Sequence, residues 1–303
     1  MPEPHVTLSA PNGLPDTDTI VTYPQGATSS TGRVVHVEDL GDGRSAVLLD
    51  VTCVHPVTAA WPDQPADRAV LEAAGTTFPV VDAVVGGIRD GQLLLGSDLP
   101  VRIGTEGWVF VVAHIVEGSG PEVSTEVRAV VDADHRTALS AGHTVCHLAS
   151  LALNAALADA WSKDVPTDAL GHPNFDALAI ETSRIHPGGS VDVYRIGKSL
   201  RRKGFVATAV DGLDAVASRA NMLLAEWVAS DAPVRIDRDG DGLSSRRAWV
   251  CELPGTTVRI PCGGTHASRL GAFSSVSMIL EARDVEGARE VTMTTTGTTT
   301  ITR

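Results

Sequence analysis

Two short stretches of this chain carry residues suited to binding a metal ion. In HTVCH, His143 and His147 stand four residues apart. On a helix that spacing puts both imidazoles on one face, one turn apart, where their nitrogens can meet one ion. In CGGTH, Cys262 and His266 are also four apart, around Gly263 and Gly264. Glycines remove the steric cost of a tight turn or of close backbone approach to a ligand. The histidine pair alone is a modest signal, because two histidines at this spacing often serve packing. The metalloprotease motif HExxH is excluded, since Thr144 occupies the position of its Glu. Taken together, His143, His147, Cys262 and His266 make a His₃Cys set suited to Zn2+. Four protein ligands close a tetrahedral ion. Hydrolysis there needs a loose ligand, coordination expanded by water, or a zinc that positions substrate while backbone amides stabilise an oxyanion. The sequence leaves these three open.

These residues need elements to hold them. The Ala/Leu-rich, proline-free stretch from Ala138 to Trp161 is apolar at helical spacing through Val145, Leu148, Leu151, Ala152 and Ala155, and predicts the long helix bearing the histidine pair. RIPC predicts a strand running into CGGTH. A second helix is expected over Asp211–Val228, with strands in GSVDVYRIG, PVRID, SRRAWVCELPG and TTVRIPC. The threonine-rich end, REVTMTTTGTTTITR, reads as a final strand or a frayed tail. Residues 1–125 are β-rich, with short β-branched runs punctuated by Gly, Pro, Asp and Asn; a helix has room only around Ala66–Ala74. The polar Gly/Ser/Pro segment Glu117–Thr125 marks a boundary. The expectation is α+β: a small N-terminal β-barrel domain over 1–122, then an α+β domain over 123–303 with an antiparallel sheet and packed helices.

Composition narrows the class. The 303 residues are 43% hydrophobic, enough for a proper core, and no apolar run approaches a membrane span. The N-terminus shows no signal peptide, so a cytoplasmic protein with no membrane partner is expected. Four cysteines in such a setting point to metal or catalytic use before disulfides. Cys251 reads as core, Cys146 as core or an extra soft ligand, and Cys53 as core or surface. The net charge of −13 argues against DNA and other non-specific nucleic-acid binding. One local exception is RIGKSLRRK, Arg195 to Lys203, with five basic residues and no acid; it is a solvated face or a phosphate-binding patch. DRDGDG, from Asp237, starts like a calcium loop, but Ala248 stands where the twelfth-position Glu is required, so an acidic turn is expected. No nucleotide-binding glycine motif and no nucleophile elbow is present.

The helix with H-x-x-x-H and the later C-G-G-T-H resemble the editing domain of alanyl-tRNA synthetases and its stand-alone relatives, the alanyl-tRNA editing proteins. The likeness extends to VVDADHRTALSAGHTVCHL, with Asp132 and Arg136 in matching places, and to ASRANMLLAEWV, with Asn221. It also covers VLLDVTCVHPVTAAWPDQPAD, where Asp50, Thr52, Pro56, Gln64, Pro65 and Asp67 match. The chain departs from the family at Val54-His55, at Pro62-Asp63, and after CGGTH, where Gly271 alone survives of the next motif. The resemblance implies zinc-dependent hydrolysis of mischarged aminoacyl-tRNA at its acceptor end, of the Ser/Gly-tRNA(Ala) type. It gives Gln64, Gly263 and Gly264 catalytic roles, and it offers tRNA as the polyanion for the patch at Arg201, Arg202 and Lys203. Threonyl-tRNA synthetases carry a similar domain, so a deacylase for threonyl-type or non-standard hydroxy amino acids on tRNA(Thr) is an alternative. A non-tRNA zinc ester or amide hydrolase and a zinc-stabilised binding module are others. A full synthetase is not expected, and the oligomeric state is not legible.

Overall fold

The computed structural model describes residues 13–300; the leader reading of the first residues lies outside them. The chain is α+β and divides into two compact units, Met1–Arg136 with Arg238–Arg246, and Thr137–Asp237 with Arg247–Arg303. No described helix is long and apolar enough to cross a membrane.

The first unit holds β1 (Ile20–Val21), β2 (Ser29–Asp39), β3 (Arg44–Leu49), β4 (Val51–Thr52), β5 (Ala69–Ala73), β6 (Thr76–Arg89), β7 (Gln92–Leu95), β8 (Val109–Glu117) and β9 (Glu126–Val131). Seven of them form an antiparallel sheet in the order β5-β9-β2-β3-β8-β6-β7, and β1 pairs with β4 in parallel. β6 also pairs with β5, so the ladder returns to its first strand. The possible helix around Ala66–Ala74 is therefore β5: Leu71 and Ala73 alternate inward, the period of a strand.

β3 shows why this unit reads as apolar runs rather than strict alternation. Val47 and Leu49 pack with Cys53, Leu71 and Val127, while Ala46 and Leu48 pack with Ile88, Val111 and Ala113. Neighbouring side chains point to opposite faces, and both faces are covered.

His114, Arg136 and Asp67, all buried in this unit, are paired. His114 is fully buried on β8. Its Nδ1 meets the Val47 carbonyl at 2.9 Å and its Nε2 meets Thr52 Oγ1 at 2.8 Å. Burial lowers its pKa to about 4 and keeps the ring neutral. Arg136 and Asp67 form a buried ion pair, with Arg136 Nε donating to Asp67 Oδ1 at 2.7 Å. Arg136 also donates to the Cys53 carbonyl at 2.8 Å, and the His55 N–H donates to Asp67 Oδ2 at 2.6 Å. Cys53 is core.

The acidic stretch after Asp237 is not a free-standing turn. The Val21 N–H donates to the Asp241 carbonyl, and the Leu243 N–H to the Thr19 carbonyl, each at 2.9 Å. The Ser244 N–H donates to Asp18 Oδ2 at 3.0 Å. Leu243 is buried with Val21, Tyr23 and Phe110. This segment completes the core of the first unit from a distant part of the sequence.

α1 (Ala133–Ala156) begins five residues before the expected Ala138. Asp132 explains the early start: its Oδ1 accepts the His135 N–H at 3.0 Å, a side-chain cap on the first turn. Beyond α1 come α2 (Phe175–Ala179), β10 (Ile180–His186), β11 (Gly189–Ile196), α3 (Lys198–Arg202), α4 (Leu213–Ala229), β12 (Val234–Arg238), β13 (Arg247–Cys251), β14 (Val258–Pro261), β15 (Phe273–Val285) and β16 (Ala288–Thr299). The second unit has an antiparallel sheet in the order β10-β11-β16-β15 and a three-stranded sheet β12-β13-β14. The threonine-rich end is a strand.

Contacts in the second unit show how closely α1 lies on the first of these sheets. A Cβ added at Gly142 would fall 2.2 Å from the His186 carbonyl oxygen and 2.7 Å from that of Gly189. Asn221, on α4, serves the edge strand β15. Its Nδ2 donates to the Met278 carbonyl at 2.9 Å, and its Oδ1 accepts the Met278 N–H at 2.8 Å. That pair of hydrogen bonds gives Asn221 a structural role: it occupies edge groups of β15.

Candidate metal centre

The second unit brings His143, His147, Cys262 and His266 together. One potential ligand atom from each lies within 4.8 Å of every other. His143 and His147 come from the middle of α1; Cys262 and His266 come from the loop after β14. Cys262 Sγ is 3.5 Å from His143 Nε2 and 3.3 Å from His266 Nε2. Donors on a tetrahedral ion with ~2.0–2.3 Å bonds are roughly 3.3–3.8 Å apart. The imidazoles lie against one another, with the His143 and His266 centroids 4.2 Å apart. Trp249, fully buried on β13, walls one side, its ring centroid 5.2 Å from that of His147.

Two details bear on what this cluster can hold. His147 Nε2 is buried and has no hydrogen-bond partner among the described residues. Burial lowers the His147 pKa to about 4, so its lone pair is not lost to a proton at neutral pH. A neutral imidazole with a buried, unused lone pair fits a metal ligand, and three imidazoles with one thiol are a donor set for a metal ion.

The second detail is Thr144, fully buried between the two helix histidines in sequence. Its hydroxyl donates to the Ser140 carbonyl at 2.8 Å and accepts the Ala267 N–H at 3.0 Å. Its Oγ1 lies 3.3 Å from His266 Nδ1. With its proton committed to Ser140, Thr144 can only accept from His266. That assigns the His266 proton to Nδ1 and leaves the Nε2 lone pair facing the cluster, 3.3 Å from Cys262 Sγ. Ser140 also donates to Thr265 Oγ1 at 2.8 Å, a second tie between α1 and the loop.

The two loop glycines differ. Gly264 is buried and its N–H points at Cys262 Sγ from 3.5 Å, an interaction that favours the thiolate. Gly263 is exposed, has no positive φ, and an added Cβ would meet nothing within 4 Å. Its conformation does not require glycine.

Of the other predicted site residues, Gln64 lies in the first unit, 2% exposed, with its N–H donating to Asp63 Oδ1 at 2.8 Å. Arg201 and Arg202 end α3 and Lys203 caps it; all three are exposed. Lys163 joins them through a 3.0 Å bond from Nζ to the Arg202 carbonyl. Among the described residues these four cations have no ion pair, whereas Arg235, Arg259, Arg269 and Arg289 all do. All four cysteines are free thiols, and Cys251 is core. Sequence reasoning did not single out Thr144 as an orienting residue, and nothing in the residue spacing pointed to Trp249.

No family model matches the chain. Over 280 residues it is 26% identical to an alanine–tRNA ligase from Halorubrum lacusprofundi, a stretch covering 88% of this chain and 24% of that protein. The chain thus spans about a quarter of the length of this relative.

Proposed function

We propose that the chain is a zinc-dependent deacylase that hydrolyses the ester of a mischarged aminoacyl-tRNA. The observation that carries the reading is the convergence of four ligands from α1 and the CGGTH loop, with His147 Nε2 left for a ligand outside the protein. Similarity to an alanine–tRNA ligase over most of the chain supports the tRNA part. Zinc suits three imidazoles and a thiolate, and when bound it polarises a carbonyl and acidifies water.

The chain's own residues divide the remaining work. Thr144 fixes the tautomer of His266, and the Gly264 amide holds the Cys262 sulfur. That leaves the Gly263 amide as the loop donor for an oxyanion. Gln64 is the candidate for orienting substrate or water. Arg201, Arg202, Lys203 and Lys163 form a cationic patch in a protein of charge −13, suited to the phosphates of the tRNA near its acceptor end.

The test is a deacylation panel of Ser-, Gly-, Ala- and Thr-charged tRNA(Ala) and tRNA(Thr), with and without a chelator. Chelator-sensitive hydrolysis of Ser- or Gly-tRNA(Ala) is expected. Activity confined to tRNA(Thr) would transfer the enzyme to the threonyl-type reading. A folded, zinc-loaded protein with no activity on any member would leave a free-ester hydrolase or a binding module.

A further inference from the structure

The face that the second unit's sheet turns toward α1 is largely apolar, with one polar island. Ser183 on β10 is directly opposite Asp192 on β11, and Thr295 on β16 is directly opposite Ser190. Ser190 and Asp192 are two residues apart, so all four share a face. Cys146, one residue before His147 on α1, reaches this island: its Sγ is 3.7 Å from Asp192 Oδ1 and 3.8 Å from Ser183 Oγ. Ser190 Oγ donates to Asp192 Oδ2 at 2.8 Å.

Two features show that the island is not complete. Asp192 is 2% exposed and makes no ion pair among the described residues. Burial pushes its carboxyl up, and hydrogen bonds from Ser183, Ser190 and Cys146 oppose that only in part. A carboxylate held this deep is costly without a cation. Independently, Thr295 is fully buried and its Oγ1 has no hydrogen-bond partner among the described residues. Most buried hydroxyls have one. The neighbouring Tyr194 shows the usual pattern, donating to Asp176 Oδ1 at 2.9 Å. Cys146 and Ser183, at the edge of the island, are only partly buried.

We propose that Asp192, assisted by Thr295, binds the α-ammonium of the aminoacyl group whose ester is cleaved at the metal centre. An ammonium has three N–H donors and no acceptor. Asp192 supplies the charge-assisted acceptor and Thr295 Oγ1 a neutral one. Cys146 and His147 are adjacent in sequence, so the island and the ligand set share one turn of α1. The site would separate free aminoacyl esters from esters whose amine is missing or acylated. It rests on the deacylase reading above.

The experiment compares a seryl ester with its 2-hydroxy analogue on the same tRNA. The wild-type protein should prefer the amine by about 100-fold in kcat/KM, because a site built to pair a polar group rejects an analogue lacking it. Asp192→Asn should bring the two within about fivefold by slowing only the amine substrate. Thr295→Val, a milder change, should lower the preference partway. In the zinc-free protein, a non-hydrolysable seryl 3′-amide of adenosine should bind more tightly than its 2-hydroxy counterpart, and Asp192→Asn should erase that difference. Equal wild-type rates on both esters would overturn the ammonium site alone, as would a variant that slows both in proportion. No wild-type turnover on any aminoacyl-tRNA would overturn the deacylase reading and this inference with it.

Discussion

Each unit buries a histidine whose pKa burial lowers to about 4, and the two are not equivalent. His114, in the first unit, has both ring nitrogens occupied by Val47 and Thr52. His147, in the second, has an Nε2 with no hydrogen-bond partner among the described residues. The contrast extends to the carboxylates. Asp67 is saturated by Arg136 and the His55 N–H. Asp192 is buried beside hydroxyls and a thiol, with no ion pair among the described residues. Burial alone, and for the two histidines a lowered pKa, therefore does not separate these groups. What distinguishes them is whether the protein uses all of a group's bonding capacity. His114 and Asp67 are spent on the fold, whereas His147 Nε2 and Thr295 Oγ1 keep bonding capacity that no described residue uses.

That distinction can be broken by experiment, and the largest effect belongs to the saturated pair. Arg136→Ala leaves Asp67 buried and unpaired, and should cost about 3–5 kcal/mol in denaturant unfolding, equally with and without zinc. A loss under 1 kcal/mol, or one that zinc restores, would blur the line between the units.

The next effect is a pH dependence. The folded pKa of His114, about 4, lies below the ordinary 6.5. Between those values the unfolded chain takes up a proton that the folded chain refuses. Stability from this group is complete above 6.5 and falls by about 3 kcal/mol as the pH drops to 4. Asp176, pushed up to about 6 by burial, acts with the opposite sign below that pH. The stability gap between the wild type and His114→Asn should therefore narrow on acidification, while the gap to Asp176→Asn should widen in favour of the wild type. Parallel pH curves would show that His114 does not refuse its proton.

The third effect concerns His147. With zinc about 100-fold above its dissociation constant, the wild type should gain about 3 kcal/mol of stability. His147→Ala should lose nearly all of that gain while changing metal-free stability by about 1 kcal/mol or less. A variant that keeps the zinc gain would remove His147 from the ligand set.

How much of this was legible in the sequence follows from where the information lies. HTVCH on a proline-free apolar helix and CGGTH after a strand display their candidate ligands by local spacing, and the structure brings the four side chains together. The role of Thr144 needs the loop and the helix in contact, and that of Asp192 needs α1 on β11; neither is a property of one segment. α1 was expected to start late because VVDAD reads as a strand running into a turn, while Asp132 caps the helix from within it. β5 was open to a helical reading because five residues rich in Ala and Leu show too little period. β15 went unmarked although Val276, Met278 and Leu280 alternate inward, since exposed Ile279 interrupts the pattern.

The contribution of Arg238–Arg246 to the first unit has a consequence for synthesis. Domains commonly fold as they leave the ribosome, N-terminal first. Here the first core lacks Leu243, and the Thr19–Val21 edge lacks its bonds, until residue 246 has emerged. By then the ribosome has already made the histidine helix, α4 and β12. The nascent chain must carry an unfinished N-terminal sheet while more than 200 further residues are made, and completing it takes the capture of an acidic loop made that long after the edge it caps.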